Sequence, residues 1–176
     1  MQPNYGQAPQ PQYPQPQYPH TQAAPRWNNR DLTGVVVTLY PFSEQGVITP
    51  PGLDIRPFVY EFHVALAQRL TQAGLVVRAP MPGVPAQGYV ITGRFVRFSP
   101  GSAWAWFFLG VLSYFTGNGI EAEGQVGDAQ GPFGQLHQFR RMRSAMPGMK
   151  GYILRRGSQG VGRRMAKQAI AILKTR

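Results

Sequence analysis

Residues 88–128 constrain the fold of this chain more than any other stretch, because two strand-like arms flank the longest apolar run of the chain. The first arm, residues 89–98, is rich in β-branched and aromatic side chains and ends at a Ser-Pro-Gly turn. The second arm, residues 120–127, alternates small or apolar residues with Glu121 and Glu123. This two-residue period is typical of a strand with one wet face. The sequence therefore predicts an antiparallel pair of strands joined by a long connection.

The wet face of this predicted pair carries opposite charges on its two strands. Antiparallel pairing would bring Arg94 or Arg97 close to Glu121 or Glu123, and a cross-strand ion pair contributes roughly 0.2–1 kcal/mol. We interpret these charges as determinants of strand register rather than as acid-base groups.

The connection between the arms, residues 103–115, carries no charge and would be costly to leave in water. The uncharged run is too short for a membrane span, which needs about 20 apolar residues without proline and glycine breaks. Two alternatives remain open: the segment fills the core, or it docks on a lipid boundary, a protein partner or a second copy. The candidate docking residues are Trp104, Trp106, Phe107, Phe108, Tyr114 and Phe115.

The N-terminal residues 1–26 form a separate segment of low complexity. Seven of the 17 prolines precede residue 26, within a repeated Pro-Gln-Tyr theme that has almost no aliphatic side chains. Such a segment cannot bury enough surface to offset its ordering entropy. We predict a disordered Pro/Gln-rich tether at 1–26 and a single domain at 27–176.

The domain is predicted to be α/β (α+β), with a mostly antiparallel or mixed sheet of four to five strands and two packed helices. An apolar run predicts an interior strand, and Pro57 and Gly74 bracket a helical pattern whose apolar residues recur every three or four positions. The segment from Ser144 to Gly157 is predicted to be irregular because of its glycines and prolines. Besides the two arms, the predicted strands span 32–40, 75–78 and 133–142, and the predicted helices span 57–73 and the residues from 158 onward.

The net charge of +11 comes entirely from the C-terminal part of the chain. Residues 1–136 carry seven arginines and seven acidic residues, whereas residues 137–176 carry eleven lysines or arginines and no acid. A block of one sign is either a solvated surface or a docking patch for an anionic partner, with a field that extends about 8 Å at physiological salt. Composition alone leaves both alternatives open.

Enzyme and metal signatures do not emerge from the sequence. There is no cysteine, which excludes disulfides, thiolate ligands and thiol nucleophiles. His20, His63 and His137 lack metal-ligand spacing, and Glu61 and His63 lie two apart on the predicted helix, so that they point in different directions. We therefore predict a protein that is not an enzyme and has no metal and no cofactor.

Two features of the basic part suggest anion binding. The glycine-rich residues 157–162 are predicted to open the last helix beside Arg163 and Arg164, where free backbone amides would suit an anion. Their spacing matches neither a Walker motif nor a dinucleotide motif, which argues against a nucleotide. The residues predicted to bind an anionic surface are Arg140, Arg141, Arg143, Arg155, Arg156, Arg163, Arg164 and Lys167.

Nucleic acid is the alternative partner for the same basic part of the chain. Phe139 and Tyr152 lie close in sequence to its arginines, as in an interface that stacks bases on aromatic rings. No aromatic signature of an RNA-binding sheet accompanies them, so this alternative is less favoured.

The order of elements and several short motifs resemble an uncharacterised family of bacterial envelope lipoproteins, known as domain of unknown function 4410. The similarity runs over residues 32–175 and includes the stretches YVITGRFVRFSPGS and IEAEGQVGDAQG. The chain departs from the family in having Ala-Trp-Ala-Trp after the Gly-Ser turn and in lacking a lipobox cysteine. The matching positions are Ile91, Gly93, Gly101, Ser102, Phe107, Phe108, Gly110, Asp128 and Gly131.

The resemblance implies an α/β envelope accessory protein with no catalytic residue to carry over. We expect a non-enzymatic binding or scaffolding protein whose partner is an anionic envelope surface or an envelope protein, and whose apolar loop can form a homo-oligomer. No signal peptide is visible before the tether. The expected location is the periplasmic side of the bacterial cell envelope if an upstream signal was removed, and otherwise the cytoplasm.

Overall fold

The computed structural model describes residues 31–99, 119–142 and 150–176, and these form one mixed sheet with two helices packed on one of its faces. This confirms the predicted α+β fold. The predicted tether, the aromatic segment 103–115 and Arg143 lie outside the described residues. The strands are β1 (Val36–Leu39), β2 (Val76–Arg78), β3 (Tyr89–Ser99), β4 (Gly119–Asp128) and β5 (Gly131–Arg141), and the helices are α1 (Arg56–Gln72) and α2 (Lys150–Lys174).

The strand order is β2-β1-β3-β4-β5, with β1 parallel to both β2 and β3, and with β4 antiparallel to both β3 and β5. The apolar β1 is an interior strand, as predicted. A connection between parallel strands requires a crossover, and α1 supplies it between β1 and β2. Gly74 follows α1 with a φ of +89°, a conformation that glycine adopts without strain, and this confirms the predicted end of the helix.

The core lies between the helices and the inner face of β3, β4 and β5. Phe62 of α1 and Phe95 of β3 are almost fully buried, with their rings edge to face at 4.9 Å between centroids. Phe98 of β3 and Ile120 of β4 continue this core as register partners. Burial of these large side chains holds the helices against the sheet.

The start of the last helix differs from the sequence prediction, since α2 already begins at Lys150 and the predicted irregular segment is helical from there on. Gly157, Gly160 and Gly162 therefore lie inside the helix rather than at its N-terminus. A Cβ at Gly162 would approach the carbonyl oxygen of Phe62 to 2.5 Å. The close contact between the helices requires glycine there. The sequence predicted these glycines at the start of the helix, because each interior glycine destabilises a helix by about 1 kcal/mol relative to alanine.

Candidate anion-binding face

Four cations form one stripe along the solvent side of α2. Arg156, Arg163, Lys167 and Lys174 are exposed, and their spacings of seven, four and seven residues place them on the same side of the helix. At 1.5 Å per residue the stripe is about 27 Å long. These four residues are called the basic stripe below.

The edge strand β5 fixes the position of α2 through Gln168. The side-chain oxygen Oε1 of Gln168 accepts a hydrogen bond from the backbone N–H of His137 at 3.2 Å and another from Nε2 of Gln138 at 3.1 Å. An edge strand has backbone groups without a neighbouring strand, and here a side chain of the helix satisfies one of them. These bonds fix the position of α2, and with it the basic stripe, relative to β5.

Arg140 of β5 reaches the helix from below the basic stripe. Its register partner is the buried Ile120, so that the half-buried Arg140 points to the helix side of the sheet. Its Nη1 donates a hydrogen bond to the carbonyl oxygen of Arg156 at 3.1 Å. The guanidinium group lies directly against Gly160, where any Cβ would overlap it.

The electrostatic surroundings of Arg140 are positive. Burial, and then the positive charges of Arg164, Arg156 and Arg163, hold the pKa of Arg140 below its usual value. Within residues 31–99, 119–142 and 150–176, neither Arg140 nor any cation of the basic stripe forms an ion pair. Between α1 and α2, the side-chain oxygen Oε2 of Glu61 accepts a hydrogen bond from Nε2 of Gln159 at 2.8 Å.

The structure brings together only part of the predicted anion-binding set. Arg156, Arg163 and Lys167 share the stripe, with Arg164 on its flank toward β5 and Arg155 on its other flank. Arg141 is exposed but, as the neighbour of Arg140 in a strand, it points to the opposite face of the sheet. Lys174 was not among the predicted anion-binding residues, although the sequence places it seven residues after Lys167, on the same side of the predicted helix.

The outer face of the sheet carries paired charges. Arg94 forms the expected ion pair with Glu123, its partner in the antiparallel register. Glu121 faces Arg97 in the same register and lies 3.0 Å from Nε2 of His137 on β5. This confirms the predicted antiparallel pairing of the two arms, while the role of these charges in setting register stays a prediction.

His63 is half-buried beside the aromatic rings of the core, and its ring nitrogens are bonded to the backbone. Its Nε2 accepts the backbone N–H of Phe42 at 2.9 Å, and its Nδ1 donates to the carbonyl oxygen of Val59 at 2.9 Å. Both ring nitrogens are therefore used by a neutral imidazole. Burial lowers the pKa of His63, although the bond to Val59 and the charge of Glu44 act in the opposite direction.

The aromatic residues proposed for nucleic-acid stacking lie on different surfaces. Tyr152 is exposed on α2, where its hydroxyl accepts a hydrogen bond from Nη1 of Arg156 at 2.9 Å and its ring lies 5.5 Å from the guanidinium carbon. Phe139 is exposed on the outer face of β5, beside Gly119. Only Tyr152 therefore lies among the cations of α2.

Small-molecule and metal sites have little support in the part of the chain that the structure describes. A cavity of about 20 Å³ beside β2, which includes Thr38, Arg78 and Met81 in its lining, has room for one or two water molecules. In the same residues, no three histidine or acidic side chains are grouped as metal ligands. Neither α1 nor α2 is long and apolar enough to cross a membrane.

The comparisons with known proteins give a fold and no family. No family model matches the chain, and no curated protein matches it. A Xanthomonas campestris protein of the family named DUF330 superposes with a TM-score of 0.52 at 12% identity, over 89% of this chain and 94% of that one. The chain shares its fold with that protein. This agrees with the α/β fold that the lipoprotein resemblance implied, while membership of the family known as domain of unknown function 4410 stays a prediction.

Two further solved structures are more distant. A PelC dodecamer from Paraburkholderia phytofirmans has a TM-score of 0.45 at 11% identity, over 82% of this chain and 93% of that one. A candidate lipoprotein from Caulobacter crescentus has a TM-score of 0.38 at 10% identity, over 79% and 88% of the two chains. At these scores neither likeness supports a functional argument.

Proposed function

We propose that this protein is a non-enzymatic component of the bacterial envelope that docks on an anionic membrane surface through the basic stripe of α2. One observation carries the proposal: four exposed cations lie in line over about 27 Å without an ion pair among the described residues. Each Lys or Arg close to an anionic lipid surface contributes about 1 kcal/mol. A stripe of this length can contact several headgroups at once.

The aromatic segment 103–115 is the second docking element in this proposal. In the sequence it lies between β3 and β4, and the last residue of β3, Ser99, and the first of β4, Gly119, lie at the end of the sheet where β5 also ends. Tryptophan and tyrosine are enriched where protein meets lipid or another protein, because their rings are apolar and carry one polar group. We assign to this segment the contact with lipid or with a second copy of this chain. The basic stripe supplies the long-range attraction.

Vesicle co-sedimentation of the full chain tests the role of the basic stripe. The variant carries Arg163→Gln, Lys167→Gln and Lys174→Gln, and its control, with the same net charge, carries Arg56→Gln, Arg78→Gln and Arg94→Gln at exposed positions elsewhere. Loss of three surface contacts should weaken binding to vesicles with anionic lipid about 100-fold. The control should bind nearly as well as the wild type, and binding of both should fall steeply with salt.

Equal loss in the two variants would mean that net charge, and not the stripe, determines binding, and the proposal would be wrong. Equal pelleting of the wild type with neutral and anionic vesicles would also contradict it. Tighter binding to single-stranded DNA than to anionic vesicles at the same salt would assign the stripe to nucleic acid instead.

A further inference from the structure

Arg140 differs from the cations of the basic stripe because contacts between β5 and α2 hold its guanidinium group in place. The side chain points to α2, lies against Gly160 and donates one hydrogen bond to the carbonyl oxygen of Arg156 at 3.1 Å. A guanidinium group has five N–H donors, so a single bond to a carbonyl leaves most of them available. Among the described residues, no charged group of the basic stripe is bonded to another element: Arg156 is bonded to Tyr152 of its own helix, and the other three cations are exposed.

The charge of Arg140 has no opposite charge beside it among the described residues. Its charged neighbours there are Arg156, Arg163 and Arg164, all on the same side of α2. Partial burial of a charge is unfavourable unless the charge is paired, and like charges nearby add to the cost. An anion bound at this position would remove both penalties.

Gly160 supports a binding role for this position. A Cβ there would overlap Nη1 of Arg140, so only glycine lets the guanidinium lie on the helix surface between Arg156 and Arg164. Glycine inside a helix is unfavourable relative to alanine. The helix thus carries an unfavourable residue at the one point where Arg140 crosses it.

We propose that Arg140 and the flanking Arg164 bind a phosphate group at the edge formed by β5 and α2. Guanidinium groups match phosphate oxygens in a planar, bidentate geometry, and a phosphate offers enough oxygens for more than one of them. The phosphate belongs to a lipid headgroup or is free in solution. This inference rests on the proposed docking of the same face, and it names the chemical group that the face recognises.

A thermal-shift titration with inorganic phosphate tests the site, with sodium chloride at equal ionic strength as the reference. The matched variants are Arg140→Gln and Arg141→Gln, adjacent residues that point to opposite faces of β5 and have the same charge. Arg140→Gln should weaken phosphate binding, so that the phosphate concentration at half-maximal response rises at least about tenfold, because charge-assisted bonds are lost. Arg141→Gln should change it less than about twofold, because that residue contributes only to the long-range field.

A second pair of variants separates binding from folding. Gly160→Ala keeps every charge but displaces the guanidinium group, and it should lose the phosphate response, whereas Gly151→Ala, with no atom within 4 Å of its added Cβ, should keep it. Arg140→Lys keeps the charge without the planar fork and should regain only part of the response. If Arg140→Gln is too unstable for a titration, the Gly160→Ala and Gly151→Ala pair decides.

Vesicles identify the source of the phosphate. A phosphate response in solution supports a free ligand. If the two arginine variants differ only on vesicles with phosphatidic acid, the result supports a headgroup. Equal behaviour of Arg140→Gln and Arg141→Gln in both assays overturns the site, even if anionic vesicles still bind wild type through the basic stripe. A phosphate response specific to Arg140, without any vesicle binding, overturns the docking function and leaves the site.

Discussion

The two faces of the sheet differ in whether their charged side chains are paired. On the outer face, Arg94 lies against Glu123 and His137 lies against Glu121, so that each described pair joins opposite or complementary groups. On the helix side, the cations of α2 surround Arg140 and no acidic residue pairs with them among the described residues. The carboxylates of Glu121 and Glu123 lie on β4, next to β5, but they are on the outer face of the sheet.

This difference separates structural charges from binding charges. Paired charges across strands specify register, because a shift of one residue would move them to the wrong face. Unpaired charges of one sign do not determine the register of any strand. They create an electrostatic field outside the protein instead. Three predictions test how far the two faces differ, beginning with the largest effect.

The helix face should tolerate no added volume where α1 and α2 cross. Gly162→Ala would place a methyl group 2.5 Å from the carbonyl oxygen of Phe62, and the helices would have to separate. We expect a loss of about 1–3 kcal/mol in the free energy of unfolding, measured by urea denaturation. Gly151→Ala meets no neighbour and should instead gain up to about 1 kcal/mol. A Gly162→Ala protein as stable as the wild type would contradict the close crossing.

The half-buried imidazole of His63 on the helix side should make stability depend on pH. The pKa of His63 is lowered in the folded protein, mainly by burial, below the value of about 6.5 in the unfolded chain. The unfolded chain therefore binds more protons as the pH falls below about 6.5, and the free energy of unfolding decreases. The slope can reach about 1.4 kcal/mol per pH unit for one proton, and stability is fully retained above that range.

Urea denaturation at pH 7.5, 6.5 and 5.5 measures this slope. In His63→Gln the slope between these values should be reduced, because the amide does not titrate, while the bond from the Phe42 N–H can still be accepted. An unchanged slope in the variant would show that other groups cause the pH dependence.

The outer face should give the smallest effect. The Arg94–Glu123 pair is exposed, with 64% and 39% of the two side chains accessible, so solvent screens it. A double-mutant cycle with Arg94→Ala and Glu123→Ala should give a coupling of about 0.2–1 kcal/mol that disappears in 1 M salt. A salt-independent coupling above about 2 kcal/mol would mean that this face also holds a desolvated charge site.

The sequence by itself determined the elements whose signals are local. Strict alternation in residues 120–127 predicted β4 and the face on which Glu123 meets Arg94, and the spacing of apolar residues between Pro57 and Gly74 predicted α1. It also located the excess charge, because net charge depends only on composition. Such features depend on neighbours a few residues apart and are therefore readable from the chain.

Only the tertiary structure decided which of these charges face the same way. The start of α2 at Lys150 and the positions of Gly160 and Gly162 depend on what packs against the helix, and propensity alone predicted an irregular segment there. Arg140 and Arg141 are indistinguishable in composition, yet strand geometry sends them to opposite faces. The cluster around Arg140 joins residues of β5 and α2 that are 16 or more positions apart. Contacts between distant segments follow from packing, which no local pattern encodes.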